Sequence, residues 1–157
     1  MPLRKNEVDT QIPFLPSELL YRRVRPTDLV DGEIIPTSLN SISYGKEVKA
    51  APSVLRGKYA KPEDALHKDC AEQKDVSDFL VYYLLVSDLP DEVRCDSGRL
   101  FSLFPFHLPE PTCGAHSVIS CCIKGDISKT YVKPSSTALK NDIRVKLAKK
   151  LQKCKIS

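Results

Sequence analysis

The sequence predicts an α+β fold, with a small mixed or antiparallel sheet and an amphipathic C-terminal helix packed on it. An apolar run at residues 79–86 and shorter β-branched segments predict strands, and apolar residues at every fourth position from Leu139 predict the helix. Of the 157 residues, 41% are hydrophobic and 28% are charged, which is typical of a globular protein. This length suits one core, so we expect an N-terminal tail at residues 1–16 and a single domain at residues 17–157.

The first two strands are predicted in the N-terminal quarter of the chain. Residues 19–24 form a strand-like run that ends before a proline, and residues 33–35 follow an Asp-Gly turn. Residues 36–61 are rich in Ser, Asn, Gly and Pro, which predicts mostly loop. Pro62 is followed by two acidic residues, which is typical of a helix start, so we expect a helix at residues 62–74.

The centre of the sheet is predicted in the second half of the chain. Residues 79–86 are dense in aromatic and β-branched types and are followed by Pro90, which favours a buried strand, although a short buried helix has a similar pattern. Further strands are predicted at residues 99–104 and 117–123. Between them, the prolines that begin at Pro105 predict a rigid, extended connector.

The C-terminal helix is the most clearly predicted element. Ser135 or Ser136 can cap it. Its apolar stripe consists of Leu139, Ile143, Leu147 and Leu151. The remaining positions are rich in lysine, which predicts a basic outer face.

Composition excludes several classes of protein. The longest apolar run has eight residues, whereas a membrane-spanning helix needs about 20. The N-terminus mixes charges of both signs and lacks the apolar segment of a secretory signal, so we expect a cytoplasmic protein with no membrane partner. The six glycines are isolated and form no phosphate-binding loop, which excludes a P-loop nucleotidase.

Six cysteines are present, and the sequence predicts that they are reduced. A chain of this size is stable without disulfides, and export is not expected. Two neighbouring cysteines, Cys121 and Cys122, are awkward to bridge because successive strand residues point to opposite faces.

Two His/Cys pairs form the most specific constellation of ligand types. His67 and Cys70 are three residues apart, as are Cys113 and His116, and together they supply the four ligands that a tetrahedral zinc site requires. The alternative is that these cysteines are small buried apolar residues and that no cofactor is bound. Cys113 beside His107 or His116 is also a candidate nucleophile and base, although no protease motif surrounds it.

Positive charge is concentrated at the C-terminal end of the chain. Residues 124–157 contain ten Lys or Arg and two acidic residues, a balance of +8, so the first 123 residues carry −4 of the net +4. The predicted partner-binding residues are Lys140, Arg144, Lys146, Lys149, Lys150 and Lys153, with Lys155 just beyond them. They favour a protein partner, while nucleic acid would bind here through electrostatic contacts alone because the helix contains no aromatic residue. An ordinary solvated helix face is the alternative.

Four short motifs recur in the order LYRRV at residues 20–24, DGEI at 31–34, PTS at 36–38 and GAHSVI at 114–119. This pattern resembles a family of small uncharacterised prokaryotic proteins for which no function is established. The matching positions are Tyr21, Arg22, Gly32 and His116. Cys113 is not part of that pattern, which weakens the zinc hypothesis.

An arginine on the first strand, followed by a segment that contains serine, is also similar to the start of an ADP-ribosyltransferase. The resemblance implies that Arg22 would bind the dinucleotide phosphates and that a later glutamate, Glu110, would activate the acceptor. Catalytic candidates for such an enzyme, acting on a nucleotide, are Arg22, Ser38 and His116. We favour the other hypothesis, an accessory or regulatory protein that binds a partner through its basic C-terminal helix.

Overall fold

A computed structural model describes residues 2–39, 52–70, 78–94, 98–129, 132 and 137–156. Within this part of the chain the strands are β1 (Leu19–Val24), β2 (Leu29–Val30), β3 (Glu33–Ile34), β4 (Ser53–Arg56), β5 (Leu80–Leu85), β6 (Val93–Arg94), β7 (Leu100–His107), β8 (His116–Ile123) and β9 (Gln152–Lys153). The α-helix, α1, spans Thr137–Lys150. The predicted α+β class is confirmed.

Seven strands form one antiparallel sheet in the order β6-β7-β8-β4-β1-β5-β9, and β2 pairs with β3 in a separate hairpin. The turn of that hairpin places Asp31 at φ 52° and Gly32 at φ 80°, the left-handed conformations that a tight Asp-Gly turn requires. The predicted strands at residues 19–24, 79–86 and 117–123 correspond to β1, β5 and β8.

The sheet buries apolar side chains on both faces because successive residues of β1 point in opposite directions. Leu20 and Val24 belong to the larger buried cluster, which also contains Ile143 and Leu147 of α1. Tyr21, between them, belongs to a second cluster under the 3-10 segments that follow β4.

Helix α1 packs through the stripe that the sequence predicts. Ile143, Leu147 and Leu151 are buried, and the helix contacts β3, β6 and the 3-10 segment Pro36–Ser38. The predicted caps, Ser135 and Ser136, and the side chain of Leu139 lie outside the described residues. No helix in the ranges that the structure describes is long and apolar enough to cross a bilayer.

Two parts of the sheet differ from the prediction. Strand β4 lies in the middle of the sheet, between β1 and β8, although its residues fall in the predicted loop. Pro105, predicted to begin a connector, lies inside β7 opposite Ile119 of β8. A strand tolerates proline where no neighbour needs its N–H, and β6 pairs only with Leu100 and Phe101 at the other end of β7.

The predicted helix at residues 62–74 differs in type where the structure describes it. The described part forms two 3-10 segments, Pro62–Leu66 and Lys68–Cys70. Pro62 and the acidic first turn begin the first segment as predicted, and residues 71–74 lie outside the described residues. Only Ala65 of the first segment is buried, so an apolar face that would extend the helix is missing from it.

The N-terminal segment follows the surface of the sheet through backbone hydrogen bonds. Gly114 N donates to Leu3 O at 2.7 Å, and Val86 N donates to Glu18 O at 2.9 Å. A Cβ atom on Gly114 would lie 2.5 Å from Arg4 O and 2.8 Å from Val8 Cγ1, so only glycine permits this close approach.

Candidate functional site

The most buried charged group in the described chain is the guanidinium of Arg56. Central strand β4 carries this residue into the interior, where its exposure is 0%. Arg56 Nε and Nη2 each donate at 2.8 Å to one carboxylate oxygen of Glu18. Glu18 immediately precedes β1, and its side chain is 8% exposed. This two-pronged geometry is the strongest that arginine and a carboxylate can form.

The remaining donors of Arg56 are also occupied. Nη1 donates to Ile12 O at 2.9 Å and approaches His107 Nδ1 at 3.4 Å, while Nη2 also donates to Pro13 O at 3.3 Å. All five N–H groups of the guanidinium therefore have partners within the protein. None is left for a substrate.

His107 completes the network as a neutral acceptor. Its Nε2 lies 2.8 Å from Gly114 O, and because a carbonyl can only accept, Nε2 carries the proton and Nδ1 is free to accept from Arg56. Burial lowers the pKa of His107, and the positive charge of Arg56 lowers it further, against the opposing effect of the Gly114 hydrogen bond.

Two aromatic rings cover the guanidinium. Phe14 lies with its ring centroid 3.9 Å from Arg56 Cζ, and Tyr59 lies at 5.3 Å and stacks on His107 at 5.7 Å. We call Arg56, Glu18, His107, Phe14 and Tyr59 the arginine clasp. Its contacts hold the segment at residues 12–18 against the sheet.

The sequence offers little indication of the clasp. Its members come from three distant parts of the chain, and an isolated Arg-Gly pair in a polar region is typical of a surface turn. The only detectable signal is Gly57, where a Cβ atom would lie 2.7 Å from Leu19 O, because it marks a close approach of two backbones.

A small pocket of about 310 Å³ lies beside the clasp, between the N-terminal segment and the turn after β4. Its lining is mainly apolar, with a lysine, a serine and the glutamate of the clasp as polar members. The lining residues are Ile12, Pro13, Leu15, Ser17, Glu18, Leu19, Tyr21, Gly57 and Lys58.

The three predicted catalytic residues do not share one face of the sheet. Arg22 Nη1 donates to Ser53 O at 2.8 Å, and His116 Nε2 lies 3.3 Å from Ser53 Oγ. His116 is level with Leu55, and Leu55 with Tyr21, so alternation along β1 places Arg22 on the opposite face.

The remaining groups of the enzyme hypothesis are separate from Arg22. Ser38 Oγ donates to Ile35 O at 2.7 Å. Glu110 Oε1 lies 3.7 Å from His116 Nε2, so the predicted late glutamate does adjoin the histidine. Burial, followed by the neighbouring Arg23, lowers the pKa of Arg22 to about 10, which leaves it cationic at neutral pH.

Two of the four predicted metal ligands are bonded to each other instead of being free to bind a metal ion. Cys70 and Cys113 are joined as a disulfide, so the expectation that all cysteines are reduced is wrong for this pair. The pairing is possible because the 3-10 segment that ends at Cys70 and the turn that contains Cys113 bury these residues in the same cluster. Thr112 Oγ1 also donates to Asp69 O at 3.0 Å, which holds the two segments together.

The two histidines of the zinc hypothesis contact other groups. His67 Nδ1 accepts from Asp69 N at 3.2 Å, and His116 Nδ1 lies 2.8 Å from Leu108 O. Within the described ranges, no group of three or more His, Cys, Asp or Glu side chains is arranged to hold a metal ion. Zinc binding by the reduced form stays a prediction.

The predicted partner-binding cations divide into two groups. Lys140, Arg144 and Lys146 are partly buried, and Lys146 Nζ lies 3.2 Å from Asp142 Oδ2. The others are exposed where α1 ends and β9 begins. We call these the C-terminal cation patch: Lys149, Lys150, Lys153 and Lys155.

Comparison with known proteins identifies no relative of this chain: no family model, curated protein or solved structure matches it.

Proposed function

We propose that this protein is an accessory binding module that docks an extended, acidic segment of a protein partner on the C-terminal cation patch. The observation that carries the proposal is the clustering of four exposed lysines at the junction of α1 and β9. No ion pair to these lysines is recorded among the residues that the structure describes, whereas Lys146 is paired with Asp142.

The position of β9 favours an extended partner. Strand β9 is the last strand in the sheet order and pairs with β5 on one side only. Gln152 and Lys153 are exposed, and no described strand pairs with the other side of β9, so a partner segment would add there as a further strand. Acidic residues on that strand would lie near the lysines. A lysine on an edge strand also discourages indiscriminate pairing of apolar strands, which adds selectivity for acidic ones.

A nucleic acid is less well supported. Helix α1 contains no Tyr, Phe or Trp on which bases could stack. Phosphate contacts alone would give sequence-independent binding with a steep dependence on salt.

An enzyme acting on a nucleotide is also less well supported than binding. Arg22 and His116 lie on opposite faces of the sheet, and Ser38 Oγ donates to the backbone oxygen of Ile35. These positions provide no single cleft in which the three side chains could act on one substrate.

Fluorescence anisotropy with a labelled peptide that alternates glutamate and valine tests the proposal. The K149E/K150E/K153E variant should weaken binding by about tenfold or more, because three exposed ion pairs at about 0.5 kcal/mol each amount to that factor. A peptide with glutamine in place of glutamate should bind no better to the wild type than to the variant.

The matched control replaces three exposed lysines elsewhere with glutamate, which gives the same change in net charge. These lysines are Lys61, Lys68 and Lys129. This control should retain most of the affinity. Equal losses in both triple variants would show a general effect of net charge and refute the patch. Tighter binding of a single-stranded oligonucleotide of equal charge would refute the protein partner in favour of nucleic acid.

A further inference from the structure

We propose that the pocket beside the arginine clasp binds a small apolar carboxylate, such as a short-chain or single-ring acid, with Lys58 as its charged anchor. The volume of about 310 Å³ lies at the lower end of the range for ligand pockets, so only a small ligand fits. This site is separate from the C-terminal cation patch.

The apolar part of the pocket suits a hydrocarbon. Its lining includes Ile12, Pro13, Leu19 and Tyr21. Leu15 beside them is 61% exposed. A bound hydrocarbon would cover Leu15 and remove it from water, which favours binding.

The charges around the pocket select an anion over a cation. Glu18 is the acidic residue in the lining, but both of its carboxylate oxygens already accept from Arg56, and Oε2 also lies 3.3 Å from Lys58 N. Its charge is neutralised within the clasp and is not available to an amine. Lys58 is exposed, its Nζ lies 5.8 Å from the ring centroid of Tyr59, and no ion pair to it is recorded within the described chain.

The polar groups lie at the rim, where a carboxylate would meet water. Lys58 supplies the charge, and Ser17, which is also exposed, supplies a hydroxyl. A ligand with one charged end and one apolar end therefore matches the pocket, because its polar end stays partly hydrated while its apolar end is buried.

The test compares hexanoate, hexylamine and hexanol as probes of equal length that differ only in the head group. Titrations followed by amide chemical shifts should show hexanoate binding best, with shifts at Ser17, Leu19, Gly57 and Lys58. Lys58→Ala should weaken hexanoate binding by about fivefold, the value of one partly exposed ion pair, and should leave hexanol unaffected. Lys61→Ala, a change at an exposed lysine outside the pocket, should leave all three unchanged.

Ser17→Phe offers a second variant, because a ring at the opening should block all three probes without touching Lys58. Equal binding of hexylamine and hexanoate would overturn the proposed anion selectivity. Shifts confined to residues outside the pocket, or no saturable shift with any probe, would overturn the site itself.

Discussion

At the scale of single residues, Arg56 has the largest energetic consequence. Removing a guanidinium from water costs several kcal/mol, and the cost is offset only when every donor finds a partner. The clasp meets this condition through Glu18, two backbone carbonyls and His107. The buried guanidinium is therefore tolerated only while all of its partners are present, and the loss of any one of them should lower the stability of the protein.

Breaking the pair from one side should be more costly than removing both charges. We expect Arg56→Met and Glu18→Leu each to lower the free energy of unfolding by about 3–5 kcal/mol, because each leaves one buried charge without its partner. The double variant should lose clearly less than the sum of the two. Urea denaturation of the four proteins measures this coupling.

The half-exposed pair of Lys146 and Asp142 provides the matched comparison. Their side chains are 41% and 42% exposed, so Lys146→Ala should change stability by no more than about 0.5 kcal/mol. Strictly additive losses at Arg56 and Glu18 would contradict the account of the clasp.

His107 should make stability depend on pH in the mildly acidic range. Its pKa is lowered in the folded protein, mainly by burial, so the unfolded chain takes up a proton first as the pH falls. The stability that neutral His107 contributes is complete above the unfolded value of about 6.5 and is lost as the pH falls toward the folded pKa. Urea midpoints measured across this range should decline in the wild type.

His107→Gln should reduce that decline, because glutamine can donate to Gly114 O and accept from Arg56 without titrating. His67→Gln, outside the clasp, should keep the wild-type dependence. An unchanged slope in His107→Gln would rule out His107 as the titrating group.

Residue-level chemistry was only partly predictable from the sequence. The zinc hypothesis would bring Cys70 and Cys113 together, but the sequence reasoning favoured free thiols and did not predict the disulfide that joins them. Sequence patterns report which residue types recur locally. They do not report that Glu18 lies opposite Arg56, because that pairing depends on the order of the strands.

At the scale of elements, the attachment of the N-terminal segment depends on the turn after β7. Gly114→Ala should push this segment away, because the added Cβ would meet Arg4 O and Val8 Cγ1. We expect faster hydrogen exchange at the amides of residues 3–8, with the strands of the sheet still protected.

Gly57→Ala is the matched control for this experiment. Its added Cβ would meet Leu19 O instead, so any loosening should begin at β1 and leave residues 3–8 unchanged. Identical exchange in wild type and Gly114→Ala would show that the backbone contact does not hold the segment.

The elements were predictable where an apolar pattern dominates. Strands β1, β5 and β8 coincide with the predicted apolar runs, and α1 buries Ile143 and Leu147 of its predicted stripe. Strand β4 was missed because it is short and ends in Arg56, so an arginine occupies a buried position where an apolar residue is expected. The described part of the Pro62 segment forms 3-10 turns because a good helix start does not ensure an apolar face to extend it.

At the scale of the whole molecule, the disulfide joins two segments that are 43 residues apart in the chain. In the chain-entropy model a loop of this length stabilises the folded state by about 4 kcal/mol. The C70S/C113S variant should therefore unfold at lower urea concentration than the oxidised wild type. Reductant should lower the urea midpoint of the wild type toward that of the variant and leave the midpoint of the variant unchanged.

Cys154→Ser is the control, because Cys154 is a free, partly buried cysteine of the same cluster. It should respond to reductant as the wild type does. If the oxidised wild type gains no stability over C70S/C113S, the crosslink does not form or does not constrain the unfolded chain.

The order of the strands also bears on how fast the chain finds its fold. Strand β1 pairs with β5, about 60 residues later in the chain, and β4 pairs with the still more distant β8. The middle of the sheet is therefore assembled from segments that are far apart in sequence. Strands β7 and β8 are consecutive in the chain and pair over seven positions, so we expect this hairpin to form early. Because loop-closure entropy opposes the other pairings, refolding should take place in milliseconds to seconds, as is roughly typical of proteins dominated by non-local strand pairing.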